Sequence, residues 1–154
     1  HEVTRLAEPF GCEVRYTSTS GVAREERYPA LSLAELLSWA DVVSIHCPLN
    51  ARTRNLIGAP ELKIMKRSAI LINVARGGIV DEAALATALD RGSIAGAALD
   101  VFTQEPLAAD NPLTHIAAPD RILLSPHNAW SPVEAVEVLV GCIERNITEF
   151  CNRQ

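Results

Sequence analysis

Apolar residues along this chain follow two alternating spacings. Val3, Leu6, Ala7 and Phe10 recur every three or four positions, which predicts a helix over 1–10 that ends near Gly11. Residues 12–16 then read as a strand, 17–21 as a polar turn, and Arg24 to Arg27 as a charged loop. Ser32 stands three residues before Glu35, the spacing of a reciprocal helix cap, so a second helix should cover 33–39. Short, almost wholly apolar runs at 41–46, 70–74, 94–101 and 122–125 read as strands, the first closed by Pro48. Between them, Pro60 opens a short helix over 60–66, and residues 81–91 form a strong helix stopped by Gly92. Pro106, Pro112 and Pro119 mark a loop before the last strand, and a long amphipathic helix runs from 131 to about 151.

Strands that alternate with helices, each strand nearly all apolar, predict an α/β fold built on a doubly wound parallel sheet covered on both faces. Ligands of such sheets gather beyond the carboxyl ends of the strands. The residues expected there are His46-Cys47-Pro48, Val74-Ala75-Arg76, Asp100, and Ser125-Pro126-His127-Asn128.

Composition narrows the classes. The 154 residues suit a single core, and 48% hydrophobic with only 5% aromatic residues makes that core aliphatic. A net charge of −5 with no basic run argues against a nucleic-acid groove or an anionic membrane surface. No apolar run reaches the ~20 residues of a membrane span, and no secretory leader is visible. Cys12, Cys47, Cys142 and Cys151 form no C-x-x-C and no zinc spacing with the histidines, so no metal is expected. Cys12 and Cys47 fall in strand-like runs as small hydrophobes, which suits a reduced, cytoplasmic protein.

Arg76 directly follows one strand, Glu105 the next and His127 the last, so all three belong on one rim. A guanidinium offers a planar fork for a carboxylate and its neighbouring oxygen. A histidine beside a carboxylate can give and take a proton. Taken singly, each is a commonplace of strand ends and loops; together they describe a grip on an anionic oxo or hydroxy acid.

Four blocks carry a resemblance: Ser44-Ile-His-Cys-Pro-Leu-Asn-Ala-Arg-Thr53, Asn73-Val-Ala-Arg-Gly-Gly-Ile-Val-Asp-Glu82, Ala97-Ala-Leu-Asp-Val-Phe-Thr-Gln-Glu-Pro106 and Ser125-Pro-His-Asn-Ala129. In order and spacing the chain resembles the D-isomer-specific 2-hydroxyacid dehydrogenases over almost its whole length. That resemblance implies a Rossmann-like sheet and hydride transfer between NAD, or NADP, and C2 of a small 2-hydroxy or 2-oxo acid. It implies Arg76 on the substrate carboxylate and oxo oxygen, His127 as general acid and base, and Glu105 as its orienting partner. It also implies a cofactor lined by Ser18, Cys47, Pro48, Val74, Ala75, Arg76, Asp100, His127, Asn128 and Ala129, with Asp100 at the nicotinamide end and a homodimer as the full-length form. Pro126-His-Asn-Ala-Trp130 is similar to the glycerate and hydroxypyruvate branch.

The chain departs from the family pattern in two places. The family's first strand and glycine loop should precede His1, so the sheet is expected to be incomplete at its N-terminus. A truncated dinucleotide-binding domain would then cover 1–130, and the helix of 131–154 would pack on a missing substrate domain. Such a piece should be inactive alone. The acidic residue that meets the adenosine ribose in NAD-dependent members is replaced by Ser18, so nothing there repels a 2′-phosphate, and Arg24 or Arg27 stands near enough in sequence to approach one. A dinucleotide-sensing binding protein resembling the corepressors of this fold, and an inactive truncated relative, are the other readings left open.

Overall fold

The computed structural model describes residues 2–22 and 27–153. Its centre is a four-stranded, all-parallel sheet in the order β1 (Val42–Ile45), β2 (Ile70–Asn73), β3 (Gly96–Leu99) and β4 (Ile122–Leu124). The helices are α1 (Glu2–Ala7), α2 (Leu33–Trp39), α3 (Ala59–Ile64), α4 (Glu82–Asp90) and α5 (Val133–Cys151).

Local chemistry sets the helix ends. Ser32 Oγ accepts from Glu35 N, while the Glu35 carboxylate accepts from Ser32 N at 2.9 Å, closing the predicted box. Such a cap is worth about 1 kcal/mol. Asp81 caps α4 through Ala84 N, and Gly92 leaves that helix with φ 62°, a left-handed conformation glycine adopts freely.

Packing is one-sided. Val43, Ile45, Leu71, Ala97 and Leu99 point to one face and are buried against Leu37 of α2, Leu62 of α3 and Leu85 and Leu89 of α4. Each fully buried leucine contributes about 1.5–3 kcal/mol. On the opposite face Val42 is 56% exposed, Ile70 42% and Leu123 64%. The parallel α/β sheet is the one expected, but among the described residues only one of its faces is covered. The cause is topological: β1 to β4 follow one another in sequence and position, so same-handed crossovers carry α3 and α4 to the same side. Neither α1 nor α5 has a buried residue. No helix among the described residues is long and apolar enough to cross a membrane.

Residues 12–16 also depart from expectation. They form no strand; Tyr16 makes a bridge to Ala30, and the other four find no ladder partner among the described residues. Cys12 is exposed rather than a buried hydrophobe.

Candidate active site

β2 ends on Asn73, which is 1% exposed and has both polar side-chain atoms engaged. Its Oδ1 accepts from Ala75 N at 3.1 Å and its Nδ2 donates to the Arg76 carbonyl at 3.0 Å. A buried amide that satisfies its own turn fixes where the chain leaves the sheet. Arg76 is thereby lifted onto the rim, exposed, with Nη1 donating to the Ala75 carbonyl at 2.7 Å. Directly after it, Gly77 lies against the loop that follows β3. A Cβ on Gly77 would sit 1.8 Å from the Phe102 carbonyl oxygen. Gly77→Ala should cost about 1–3 kcal/mol by overpacking against rigid backbone, visible as a lower urea midpoint; an unchanged midpoint would show that the two segments can part freely.

Beyond β3, Asp100 is 3% exposed. Its Oδ1 accepts from Ser125 Oγ at 2.6 Å and Asn128 N at 3.0 Å, and its Oδ2 from Ala129 N at 2.8 Å. Burial alone would raise this carboxyl, but those hydrogen bonds and the nearby His127 outweigh it and hold the group below the usual aspartate range. Within the clamp His127 adopts φ 52°, a left-handed backbone that costs a non-glycine residue about 1–3 kcal/mol. Trp130 Nε1 donates to the His127 carbonyl at 2.8 Å and steadies the same turn.

His127 Nδ1 meets Glu105 Oε2 at 2.6 Å. Glu105 Oε1 accepts from Phe102 N at 3.0 Å, so both carboxylate oxygens are engaged. The bond from His127, then that from Phe102, holds the Glu105 carboxyl below its ordinary value. A carboxylate accepts only, so Nδ1 carries the shared proton and Nε2 is left to exchange one with a ligand.

Asp100 and Glu105 have depressed folded-state values, so their stabilisation is present above the unfolded values of about 4 and is lost as pH falls through the folded ones. Acid should therefore release residues 125–129. In a Trp39→Phe background, Trp130 emission should change only below about pH 4, and a change centred above pH 5 would assign the release to another group.

The remaining expected residues divide. Cys47 is partly buried after β1, which pushes its thiol up, and the Pro48 carbonyl accepts from buried Thr53 Oγ1 at 2.7 Å. His46 Nε2 pairs with Ser44 Oγ at 2.8 Å, and burial lowers its pKa. Ser18 shares a 2.9 Å bond with Ser20 Oγ and lines a shallow hollow of about 470 Å³ with Thr17, Thr19, Ala30, Leu31 and Leu56. Arg27 pairs with Glu8 at 2.7 Å, and Arg24 lies outside the described residues. These parts fit a dinucleotide: Val74 and Ala75 offer apolar surface on the rim, and the hydroxyls around Ser18 offer partners for a ribose or phosphate. Sequence reasoning missed Asn73, Ser125 and Phe102 as supports. Asn73 and Ser125 each left a local signal, a polar residue ending an apolar run, and Ser125 was expected on the rim without that role.

The chain matches the family model for the D-isomer specific 2-hydroxyacid dehydrogenase, NAD binding domain, over residues 1–129. It is 44% identical to a putative 2-hydroxyacid dehydrogenase of Haemophilus influenzae, over 97% of this chain and 47% of that protein. It is 47% identical to a glycerate dehydrogenase of Methylorubrum extorquens, over 78% of this chain and 38% of that protein. Among solved structures it resembles an NADPH-dependent glyoxylate/hydroxypyruvate reductase from Sinorhizobium meliloti in complex with NADP and malonate. The TM-score is 0.77 at 34% identity, covering 86% of this chain and 40% of that one. The chain thus spans less than half the length of these relatives. With a parallel sheet whose rim carries the arginine, the glutamate–histidine pair and the matched blocks in order, the chain belongs to the D-isomer specific 2-hydroxyacid dehydrogenase family through its NAD-binding domain.

Proposed function

We propose that this chain is the cofactor-binding half of an oxidoreductase that moves a hydride between NAD(P) and C2 of a small D-2-hydroxy acid or 2-oxo acid of the glycerate and hydroxypyruvate kind. The bound nicotinamide supplies or accepts the hydride. The chain does the rest. Arg76 holds the substrate carboxylate and oxo oxygen, and His127 Nε2 gives that oxygen a proton in reduction and removes it in oxidation. Glu105 keeps the imidazole turned by holding Nδ1. The observation that carries this reading is the 2.6 Å His127–Glu105 pair on a rim where Gly77, next to Arg76, touches Phe102.

Ser18 in place of an acidic residue leaves both cofactors acceptable; NAD is proposed first, from the family description. The cofactor domain is proposed to cover 1–130, and the helix of 131–154 to pack on the rest of a longer, cytoplasmic, homodimeric enzyme. Supporting that, Val133, Val136, Val140, Ile143, Ile147 and Phe150 repeat at three- and four-residue steps along α5, with Val133, Val140, Ile143, Ile147 and Phe150 each at least half exposed. The uncovered sheet face points the same way, so residues 1–154 alone should be inactive. The test is kcat/KM of the full-length enzyme for hydroxypyruvate, glyoxylate and pyruvate with NADH and NADPH. Turnover of at least one pair is expected; none with any pair would overturn the proposal.

A further inference from the structure

Glu82 stands in the first turn of α4, yet its oxygens serve a distant loop. Oε1 accepts from Thr103 N at 2.6 Å and Oε2 from Asn111 Nδ2 at 2.6 Å, partners 21 and 29 residues away. Both lie in the connection from β3 to β4 that carries Glu105. Asn111 cannot turn its amide round at no cost, because its Oδ1 caps the following turn by accepting from Leu113 N at 3.0 Å. Glu82 therefore faces two donors, which a carboxylate satisfies and an amide cannot.

Thr103 sits at a critical point. The residue before it, Phe102, gives its N–H to Glu105 Oε1 and rests its carbonyl on Gly77, beside Arg76. Asp81, the residue before Glu82, caps the helix that follows the Arg76 turn. One carboxylate thus ties the segment bearing the arginine to the segment bearing the histidine's partner.

We propose that Glu82 is a positioning residue, which sets the Glu105–His127 pair in register with Arg76 by holding Thr103 and Asn111. The inference rests on the proposed function above. Glu82→Gln sets an NH₂ group against a donor, whichever way the amide lies. Asn111→Asp in the same chain supplies the missing acceptor while its other oxygen still serves Leu113 N.

The experiment compares unmodified full-length enzyme, E82Q, N111D and E82Q/N111D, using the 2-oxo acid on which the unmodified enzyme is most active. E82Q should lower kcat/KM about 30-fold, within the range that ångström-scale misplacement costs. Its solvent deuterium isotope effect should rise as proton transfer becomes slower, while cofactor affinity stays within about twofold. N111D alone should also be impaired, since it sets two carboxylates face to face. E82Q/N111D should return to within about threefold of the unmodified enzyme. Unimpaired E82Q, a loss the second change does not repair, a loss confined to cofactor affinity, or failure of both E82Q chains to fold would each overturn the inference. An unmodified enzyme inactive on every 2-oxo acid would instead overturn the proposed function.

Discussion

Changing His127 to Gln in the full-length enzyme is expected to lower kcat for 2-oxo acid reduction by about 10²- to 10⁴-fold, the usual worth of a positioned general acid. Glutamine can keep a hydrogen bond to Glu105 Oε2, so the 2.6 Å partnership loses its proton traffic more than its architecture. The cofactor dissociation constant should move little. The clamp around Asp100 explains why the loss should be confined to chemistry. Ser125 Oγ and the N–H groups of Asn128 and Ala129 hold the turn without help from the imidazole. A variant that keeps a tenth or more of the original kcat would remove His127 from proton transfer.

Changing Arg76 to Ala should act differently, raising KM as well as lowering kcat. Truncating one member of a hydrogen-bonded charge pair costs about 2–5 kcal/mol, so kcat/KM should fall by roughly 30-fold to a few thousand-fold. The guanidinium is exposed on the rim and spends one nitrogen on the Ala75 carbonyl, which sets its direction without consuming its fork. Lysine should rescue poorly, because a point charge cannot hold two oxygens at fixed spacing. Stability should change little, since the Arg76 side chain is exposed and its bond is to the carbonyl of the neighbouring Ala75. Kinetics equal to those of the unmodified enzyme would make Arg76 a surface charge.

Much of this arrangement was legible in the sequence where the signal is local. The reciprocal cap at Ser32 and Glu35, the helix start at Asp81 and the exit at Gly92 each depend on residues within a few positions, and each formed. The rim was legible because the short apolar runs give way to Arg76, Asp100 and Ser125, polar residues that have nowhere else to go. What depends on a distant partner was not. Residues 12–16 have a strand's composition, but a strand is a relation to a neighbour, and none of the described residues pairs with them beyond the Tyr16 bridge. Ile70 and Leu123 read as buried because an apolar strand looks the same whether or not a helix covers it. Arg27 turned to Glu8, a choice set by charges brought together only in the fold. The grip of Asp100 on residues 125–129 spans more than twenty positions and leaves no local trace.

The geometry of a bound acid tests the account most directly. In a crystal structure of the full-length enzyme with reduced cofactor and oxamate, the ligand carboxylate should lie on the Arg76 guanidinium. Its carbonyl oxygen should then fall within hydrogen-bonding distance, about 2.6–3.2 Å, of His127 Nε2, with Glu105 still on Nδ1. An acid seated away from both side chains, or an imidazole released from Glu105 in the complex, would contradict it.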